Sequence, residues 1–220
     1  MVLSEKTLEV NFARNFRHSH HFVWQGATLR EEAKGGWDLA TDNLMPGRSF
    51  ILQFKRPYSV ERIRPSEMLF TFYINNNNNG DQNQLLSDIA QMLGPMNVFY
   101  ALPCVEDISE LTTPREAILW RTALVDIHQS NLTNLSHGRH KVEITYHHHP
   151  INPSFNGVVY SEPRELNIIT VHDYKAWAGF NSERLKDLGG FPKDNVKSKK
   201  IKIKFFTEIP DSSTTSTQEQ

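Results

Sequence analysis

A chain of 220 residues, of which 38 % are hydrophobic and 22 % charged, has the composition of an ordinary globular protein built on one core. Its formal net charge of −1 argues against a surface coated in basic groups for non-specific DNA binding, but is compatible with a local basic groove. No apolar run approaches about 18 residues, and no basic segment precedes an apolar one near the start, so we expect neither a membrane span nor a secretory signal.

The single cysteine, Cys104, excludes an intrachain disulfide and suits a cytoplasmic protein. Its apolar neighbours predict a buried, small hydrophobic residue.

The first predicted element is a short amphipathic helix over residues 4–16. Leu8, Phe12 and Phe16 recur at i, i+4 and i+8, and Ser4 stands where a helix N-cap belongs. The following residues, 17–27, predict a loop or a short strand.

The stretch from residue 28 to residue 103 predicts the order helix, strand, strand, strand, helix, strand. The first helix begins at a capping box of Thr28 and Glu31 and ends at Gly35-Gly36. The last strand is a continuous apolar run, as expected for a strand buried on both faces. The five elements after the first helix are WDLAT (37–41), SFILQFKRP (49–57), MLFTFYI (68–74), QLLSDIAQMLG (84–94) and NVFYALP (97–103).

Beyond residue 103 the local signals are weaker. We expect a helix running into a strand over 114–129, strands at 140–147 and 200–206, and a helix over 173–189. The composition of residues 207–220 predicts a disordered tail.

Three polar side chains stand out on the predicted hairpin of the strands 37–41 and 49–57. Gln53 and Lys55 are two residues apart and project from the same side of their strand, and Asp38 lies on the other strand. An aspartate and an amide oxygen suit a hard cation such as Mg²⁺, and a lysine beside them can steady charge on a phosphate. The alternative interpretation is a solvent-facing Gln and Lys with an ordinary aspartate before a turn.

Two short motifs here resemble those of the PD-(D/E)XK nuclease superfamily, in particular the variants similar to Mrr-type restriction endonucleases. The matching residues are Gly36-Trp37-Asp38 and Gln53-Phe54-Lys55-Arg56. The superfamily core has the order αβββαβ, which is the order predicted for residues 28–103. The resemblance covers roughly the first half of the chain.

The resemblance implies an α/β (α+β) fold, with a restriction-endonuclease-like mixed sheet flanked by helices and elaborated by C-terminal strands. It implies a single nuclease-like domain over residues 1–206, with its core at 28–103, its elaboration at 104–206 and a disordered tail at 207–220.

The resemblance also implies roles for the hairpin residues. Asp38 would bind the metal, Gln53 would occupy the position where a glutamate usually stands, and Lys55 would be the catalytic lysine. Trp37 replaces the proline of the superfamily motif. Glutamine in place of glutamate removes one negative charge and should weaken metal affinity.

Members of the superfamily often add a glutamate from the first helix. Glu32 lies six residues before Asp38 and is the preferred candidate, because Glu31 is better explained as the partner of the Thr28 cap. Glu9 is the alternative if the N-terminal helix is the first helix of the core. Either glutamate could instead belong to a solvated helix face.

Basic residues gather in two places. Arg56 follows Lys55 directly, and a lysine-rich run alternates with apolar residues over 197–204. The run predicts either an edge strand that lysine protects from pairing or a stripe that binds phosphates. In the second interpretation the nucleic-acid contacts are Arg56, Lys199, Lys200 and Lys202.

Histidines cluster at 18–21 and 147–149. Contiguous histidines on a strand point to opposite faces and cannot all hold one ion, so we do not expect a zinc site. His20 or His140 could still act as a local proton donor near a phosphate.

Taken together, the sequence predicts a metal-dependent phosphodiester hydrolase, a DNA endonuclease or exonuclease using Mg²⁺ or Mn²⁺, of the kind involved in restriction or phage defence. We expect it to bind nucleic acid, and DNA more readily than RNA. We also expect either a homodimer or a partner protein, and no association with a membrane. The alternative is a non-catalytic module that binds nucleic acid or protein on a degenerate nuclease scaffold. A third interpretation makes the hairpin purely structural.

Overall fold

The computed structural model describes residues 3–20, 22–26, 48–76, 82–111, 117–149, 153–171, 180–181 and 204–208. The helices are α1 (Glu5–His20), α2 (Gln82–Leu93) and α3 (Ala117–Trp120), with 3₁₀ turns at Ile108–Leu111 and Leu132–Asn134. The strands are β1 (Phe22–Gly26), β2 (Arg48–Phe54), β3 (Ser59–Arg64), β4 (Glu67–Asn76), β5 (Val98–Pro103), β6 (Thr122–Asp126), β7 (Gly138–His147), β8 (Ser154–Val159), β9 (Arg164–Glu165), β10 (Ile168–Thr170), β11 (Phe180–Asn181) and β12 (Lys204–Glu208).

The N-terminal helix begins where the sequence predicts. The Thr7 backbone N–H donates to Ser4 Oγ at 3.0 Å, which is the N-cap bond expected of a serine at that position. Leu8 and Phe12 are fully buried, so the amphipathic face is confirmed. The helix continues to His20, past the predicted end at residue 16.

The first sheet is mixed and has the order β1-β12-β2-β5-β6-β10, with β11 also pairing with β2. Its central strands β2 and β5 are parallel, and the remaining pairings are antiparallel. All six residues of β5 are buried, which confirms the prediction of a buried strand at 97–103.

The second sheet is antiparallel, with the order β3-β4-β7-β8-β9. The predicted core would place the strand at 68–74 in the same sheet as Gln53. In the structure that segment is β4, which pairs with β3 and β7 in the second sheet. The sequence predicts no element for β3, and five of its six residues are exposed.

Two clusters of apolar side chains pack on the two faces of the first sheet. One cluster joins Ile51 and Tyr100 to helix α2 and to the inner face of the second sheet. The other joins Leu52 and Phe54 to helices α1 and α3. The described chain is therefore a mixed α+β structure in which the strand carrying Gln53 lies between two layers.

Several predictions about the second half can be compared with the structure. A helix running into a strand is confirmed by α3 and β6, and strands are confirmed at β7 and β12. The disordered tail predicted from residue 207 is wrong at Thr207 and Glu208, which belong to β12 and pair with β1. Cys104 is buried, as predicted. The prediction of a helix over 173–189 is wrong at Phe180–Asn181, which form β11 and pair with β2. The other residues of that range lie outside the described residues. No helix of the described residues is both long and apolar enough to cross a membrane.

Part of the predicted core lies outside the described residues. This part comprises the helix at 28–36, the strand at 37–41, Glu32 and Asp38, together with Lys199, Lys200 and Lys202 of the lysine run.

Candidate functional site

The predicted site residues Gln53 and Lys55 lie at the C-terminal end of β2. Gln53 is paired with Tyr100 of the parallel strand β5, and the Lys55 backbone N–H donates to the Ala101 carbonyl at 3.1 Å. Strand pairing thus continues as far as Lys55. Since Leu52 and Phe54 face helix α1, the alternation of the strand turns Gln53 toward the opposite layer.

The side chain of Gln53 is buried, with 3 % of its surface exposed. Its Nε2 donates to the Phe54 carbonyl at 3.0 Å, whereas its Oε1 has no hydrogen-bond partner among the described residues. A buried amide oxygen left without a partner costs about 1–3 kcal/mol, so native structures rarely keep one without a reason. The interpretation of Gln53 as a solvent-facing strand residue is therefore wrong.

Beside Gln53, the Tyr100 side chain of β5 forms a hydrogen-bonded pair with the Asn83 side chain of helix α2. The Tyr100 hydroxyl donates to Asn83 Oδ1 at 2.9 Å, and Asn83 Nδ2 donates to the Leu132 carbonyl at 3.3 Å. Both polar ends of the buried Asn83 side chain are thus bonded. This pair shows how the fold satisfies a buried amide. Gln53 Oε1 differs from it, and so does Asn97 Oδ1, which also has no hydrogen-bond partner among the described residues.

The ammonium of Lys55 sits in a partly buried position. Burial lowers the pKa of Lys55 below its ordinary value, and the nearby carboxylate of Glu5 acts in the opposite direction. The backbone N–H of Arg56 reaches Glu5 Oε1 at 3.4 Å, which brings the first turn of α1 to the end of β2. Arg56 itself is exposed, as a phosphate contact would require.

Helix α1 supplies two carboxylates near the end of β2, on the face of the sheet that carries Leu52 and Phe54 and opposite the face of Gln53. Glu5 and Glu9 are one turn apart and share a helix face. Glu9, the alternative glutamate of the predicted site, is 4 % exposed and accepts a bond from Lys6 Nζ at 3.0 Å. The rings of Phe12 and Phe54, 5.2 Å apart and edge to face, hold the helix against β2.

Glu5 was not predicted as a site residue. An acidic residue in the first turn of a helix is common, because it complements the positive end of the helix dipole. Only the packing of α1 on β2 reveals that it lies beside Arg56, and no local pattern carries that information.

The structure therefore brings together Gln53, Lys55 and Arg56 at one strand end, with Glu5 beside them. Within the described ranges, no group of three or more His, Cys, Asp or Glu side chains could hold a metal ion. An amide oxygen is nonetheless a suitable ligand for a hard divalent cation, and Gln53 Oε1, which no other described residue bonds, fits that use.

Asp126 is a second buried polar residue that the sequence did not single out. Its Oδ2 accepts the Met96 backbone N–H at 2.6 Å, and its Oδ1 accepts those of His128 and Gln129 at 2.9 and 3.1 Å. Burial raises the pKa of Asp126, while these three donors lower it. The carboxylate ties the turn before β5 to the turn after β6 and so has a structural role.

His140, considered as a local proton donor, is also structural. Its Nδ1 lies 2.9 Å from Ser161 Oγ, and its Nε2 lies 2.8 Å from the Ser136 carbonyl oxygen. The Ser136 backbone N–H donates to Glu162 Oε1 at 2.7 Å. The ring joins the turn before β7 to the turn after β8.

Comparison with known proteins finds no match for this chain, whether among family models, curated protein sequences or solved structures. The residues at the end of β2 are therefore the basis for proposing a function.

Proposed function

We propose that this protein is a metal-dependent phosphodiester hydrolase that acts on DNA, with its site at the C-terminal end of β2. The observation that carries the proposal is the buried Gln53 Oε1, which has no hydrogen-bond partner in the described part of the chain and lies two residues from the partly buried Lys55. A fold keeps an arrangement that lowers its stability where a bound group compensates for it.

The residues fit a divalent cation in their chemistry. The alternative glutamate, Glu9, lies on helix α1, which packs on the face of the sheet opposite Gln53. Gln53 Oε1 would therefore hold the cation together with Asp38 and Glu32. All are oxygen ligands, as Mg²⁺ and Mn²⁺ prefer. When bound, such a cation supplies Lewis-acid chemistry at a phosphate and lowers the pKa of water.

Lys55 has properties that suit the phosphate. Its ammonium donates hydrogen bonds from Nζ toward an oxygen that gains negative charge, and partial burial strengthens that interaction. Because burial also lowers its pKa, Nζ can exchange a proton more readily than a solvated lysine. Arg56, exposed beside it, would hold a neighbouring phosphate.

The finer assignment of the fold belongs to the same proposal. The parallel strands β2 and β5 lie side by side, and helix α2 occurs between them in the chain. We assign them to a restriction-endonuclease-like core in which β3 and β4 are an insertion that joins β7, β8 and β9 in the second sheet.

The test is cleavage of a labelled DNA with and without Mg²⁺. Lys55→Ala and Asp38→Ala should each abolish metal-dependent cleavage, whereas Arg62→Ala, which removes an exposed cation from β3, should cleave like the wild type. Full activity in both site variants would contradict the proposal. Absence of cleavage in the wild type together with intact folding would favour a binding module on the same scaffold.

A further inference from the structure

The outer face of the second sheet carries three tyrosines. On β4 and β7 the side chains of Phe72, Ile74, Val142 and Ile144 face the core, so Tyr73 and Lys141 of the same strands face outward. Tyr58 precedes β3 and Tyr160 follows β8.

Strand register places these residues in one row. Tyr73 pairs with Lys141, and the Tyr160 backbone N–H donates to the Lys141 carbonyl at 2.8 Å. The Tyr58 backbone N–H donates to the Thr71 carbonyl at 2.7 Å, which brings its ring to 5.0 Å from that of Tyr73, edge to face. We call Tyr58, Tyr73 and Tyr160 the tyrosine row.

Two cations lie over the rings of the tyrosine row. The Arg139 guanidinium carbon is 3.5 Å from the Tyr73 ring centroid and 5.6 Å from that of Tyr58. Lys141 Nζ is 5.0 Å from the Tyr160 ring centroid and is also ion-paired with Glu143. Arg139 is exposed and has no carboxylate partner in the described part of the chain. A guanidinium that stacks through its face keeps its N–H groups available for an anion.

The exposure of the rings is not explained by folding. Tyr58 is 66 % and Tyr160 is 64 % exposed, whereas the tyrosines of the core, Tyr100 and Tyr146, are buried. Rings that stay in water add little to the stability of the core. Flat aromatic surface interleaved with unpaired positive charge is what a single-stranded nucleic acid recognises, because bases stack on the rings and cations bind the phosphates.

We propose that the tyrosine row binds single-stranded nucleic acid, with bases stacked on Tyr58 and Tyr160 and phosphates bound by Arg139. A duplex offers its bases only at its ends, so the stacking surface selects an unpaired strand. Arg139 supplies the charge complementarity, since its guanidinium is exposed toward the solvent side of the sheet.

The tyrosine row begins close to the candidate catalytic site. Tyr58 is three residues from Lys55, and three extended residues span at most about 11 Å. A strand bound on the row is therefore within reach of the end of β2. That this strand is also the substrate rests on the proposed function, whereas binding itself does not.

The test is a titration of a fluorescently labelled single-stranded DNA of mixed sequence with the full chain, followed by anisotropy in EDTA so that no cleavage occurs. Tyr58→Ala and Tyr160→Ala should each weaken binding by about 5- to 150-fold, the range expected for the loss of one base stack. Tyr58→Phe and Tyr160→Phe keep the ring and should bind within about twofold of the wild type.

The control is Ile63→Ala, which removes an exposed apolar side chain from β3 outside the tyrosine row and should leave the affinity unchanged. Arg139→Ala should lower the slope of log affinity against log salt by about 0.7, as expected for one lost phosphate contact on a single strand. Alanine variants that bind like the wild type, a wild type that does not bind, or an equal affinity for duplex would each overturn the proposal.

Binding and cleavage separate the two proposals. A wild type that binds through the row but cleaves no DNA contradicts the proposed function alone. If the wild type cleaves DNA and the alanine variants of the tyrosine row bind and cleave as well as it does, only the proposal that the row binds nucleic acid is contradicted.

Discussion

Replacing Gln53 by methionine should leave the fold as stable as the wild type or make it more stable. Methionine has a similar length and volume, so packing is retained. Removing an oxygen that is buried and has no partner among the described residues relieves about 1–3 kcal/mol, and losing the Nε2 bond to Phe54 costs about 0.5–1.5 kcal/mol. We expect Gln53→Met to change the free energy of unfolding by between about −0.5 and +2.5 kcal/mol, where a positive value means a more stable variant.

The matched control is Asn83→Leu, which also replaces a buried amide by an apolar side chain. Both polar ends of Asn83 are bonded, and the variant leaves the Tyr100 hydroxyl and the Leu132 carbonyl without those bonds. We expect a loss of about 2–5 kcal/mol. The opposite responses of the two amides would show that Gln53 is kept for a purpose other than folding.

The assay is urea unfolding in EDTA, followed by tryptophan fluorescence and circular dichroism. Transition slopes equal to that of the wild type would validate the comparison of free energies. A loss of more than about 1.5 kcal/mol in Gln53→Met would refute the reasoning, because it would mean that Oε1 makes a stabilising bond in the folded chain.

Three further changes probe the surroundings of the site. Phe12→Ala should cost about 3–5 kcal/mol in urea unfolding, because it leaves a cavity between α1 and β2; a loss below about 1 kcal/mol would mean that this contact is not a core contact. Asp126→Ala should cost at least about 3 kcal/mol in the same assay, because three backbone N–H groups lose their acceptor. An unchanged stability would contradict the structural role of Asp126 in joining the two turns. Burial lowers the pKa of Lys55 in the folded chain below its ordinary value of 10.5. At a pH between these two pKa values, Lys55 is more fully protonated in the unfolded chain than in the folded one. The wild type should therefore gain stability relative to Lys55→Met as the pH rises through that window, and a pH-independent difference would contradict it.

The elements that sequence predicted are those with a local signal. Helix α1 has an N-cap and an apolar face, and β5 has an unbroken apolar run, so neighbouring residues are enough to define them. Strand β3 is almost wholly exposed and carries no such pattern, and it is a strand because β4 offers it an edge. The division into two sheets likewise depends on pairings between distant segments.

The same limit applies to the site. Alternation along β2 predicts that Gln53 and Lys55 share a side, but not that this side is buried, which depends on what packs against it. The position of Glu5 beside Arg56 follows from the packing of α1. The tyrosine row joins Tyr58 to Tyr160 through the register of the second sheet, so no spacing in the sequence announces it.

The central claim is that Gln53 helps to hold a divalent cation, and a calorimetric titration with Mn²⁺ tests it most directly. Wild-type protein should bind one ion, and Gln53→Glu should bind it about tenfold or more tightly because it adds a negative charge to the site. Gln53→Met should show no binding in the same range. Equal affinities in the wild type and Gln53→Met, or no binding by the wild type and Gln53→Glu, would contradict the account.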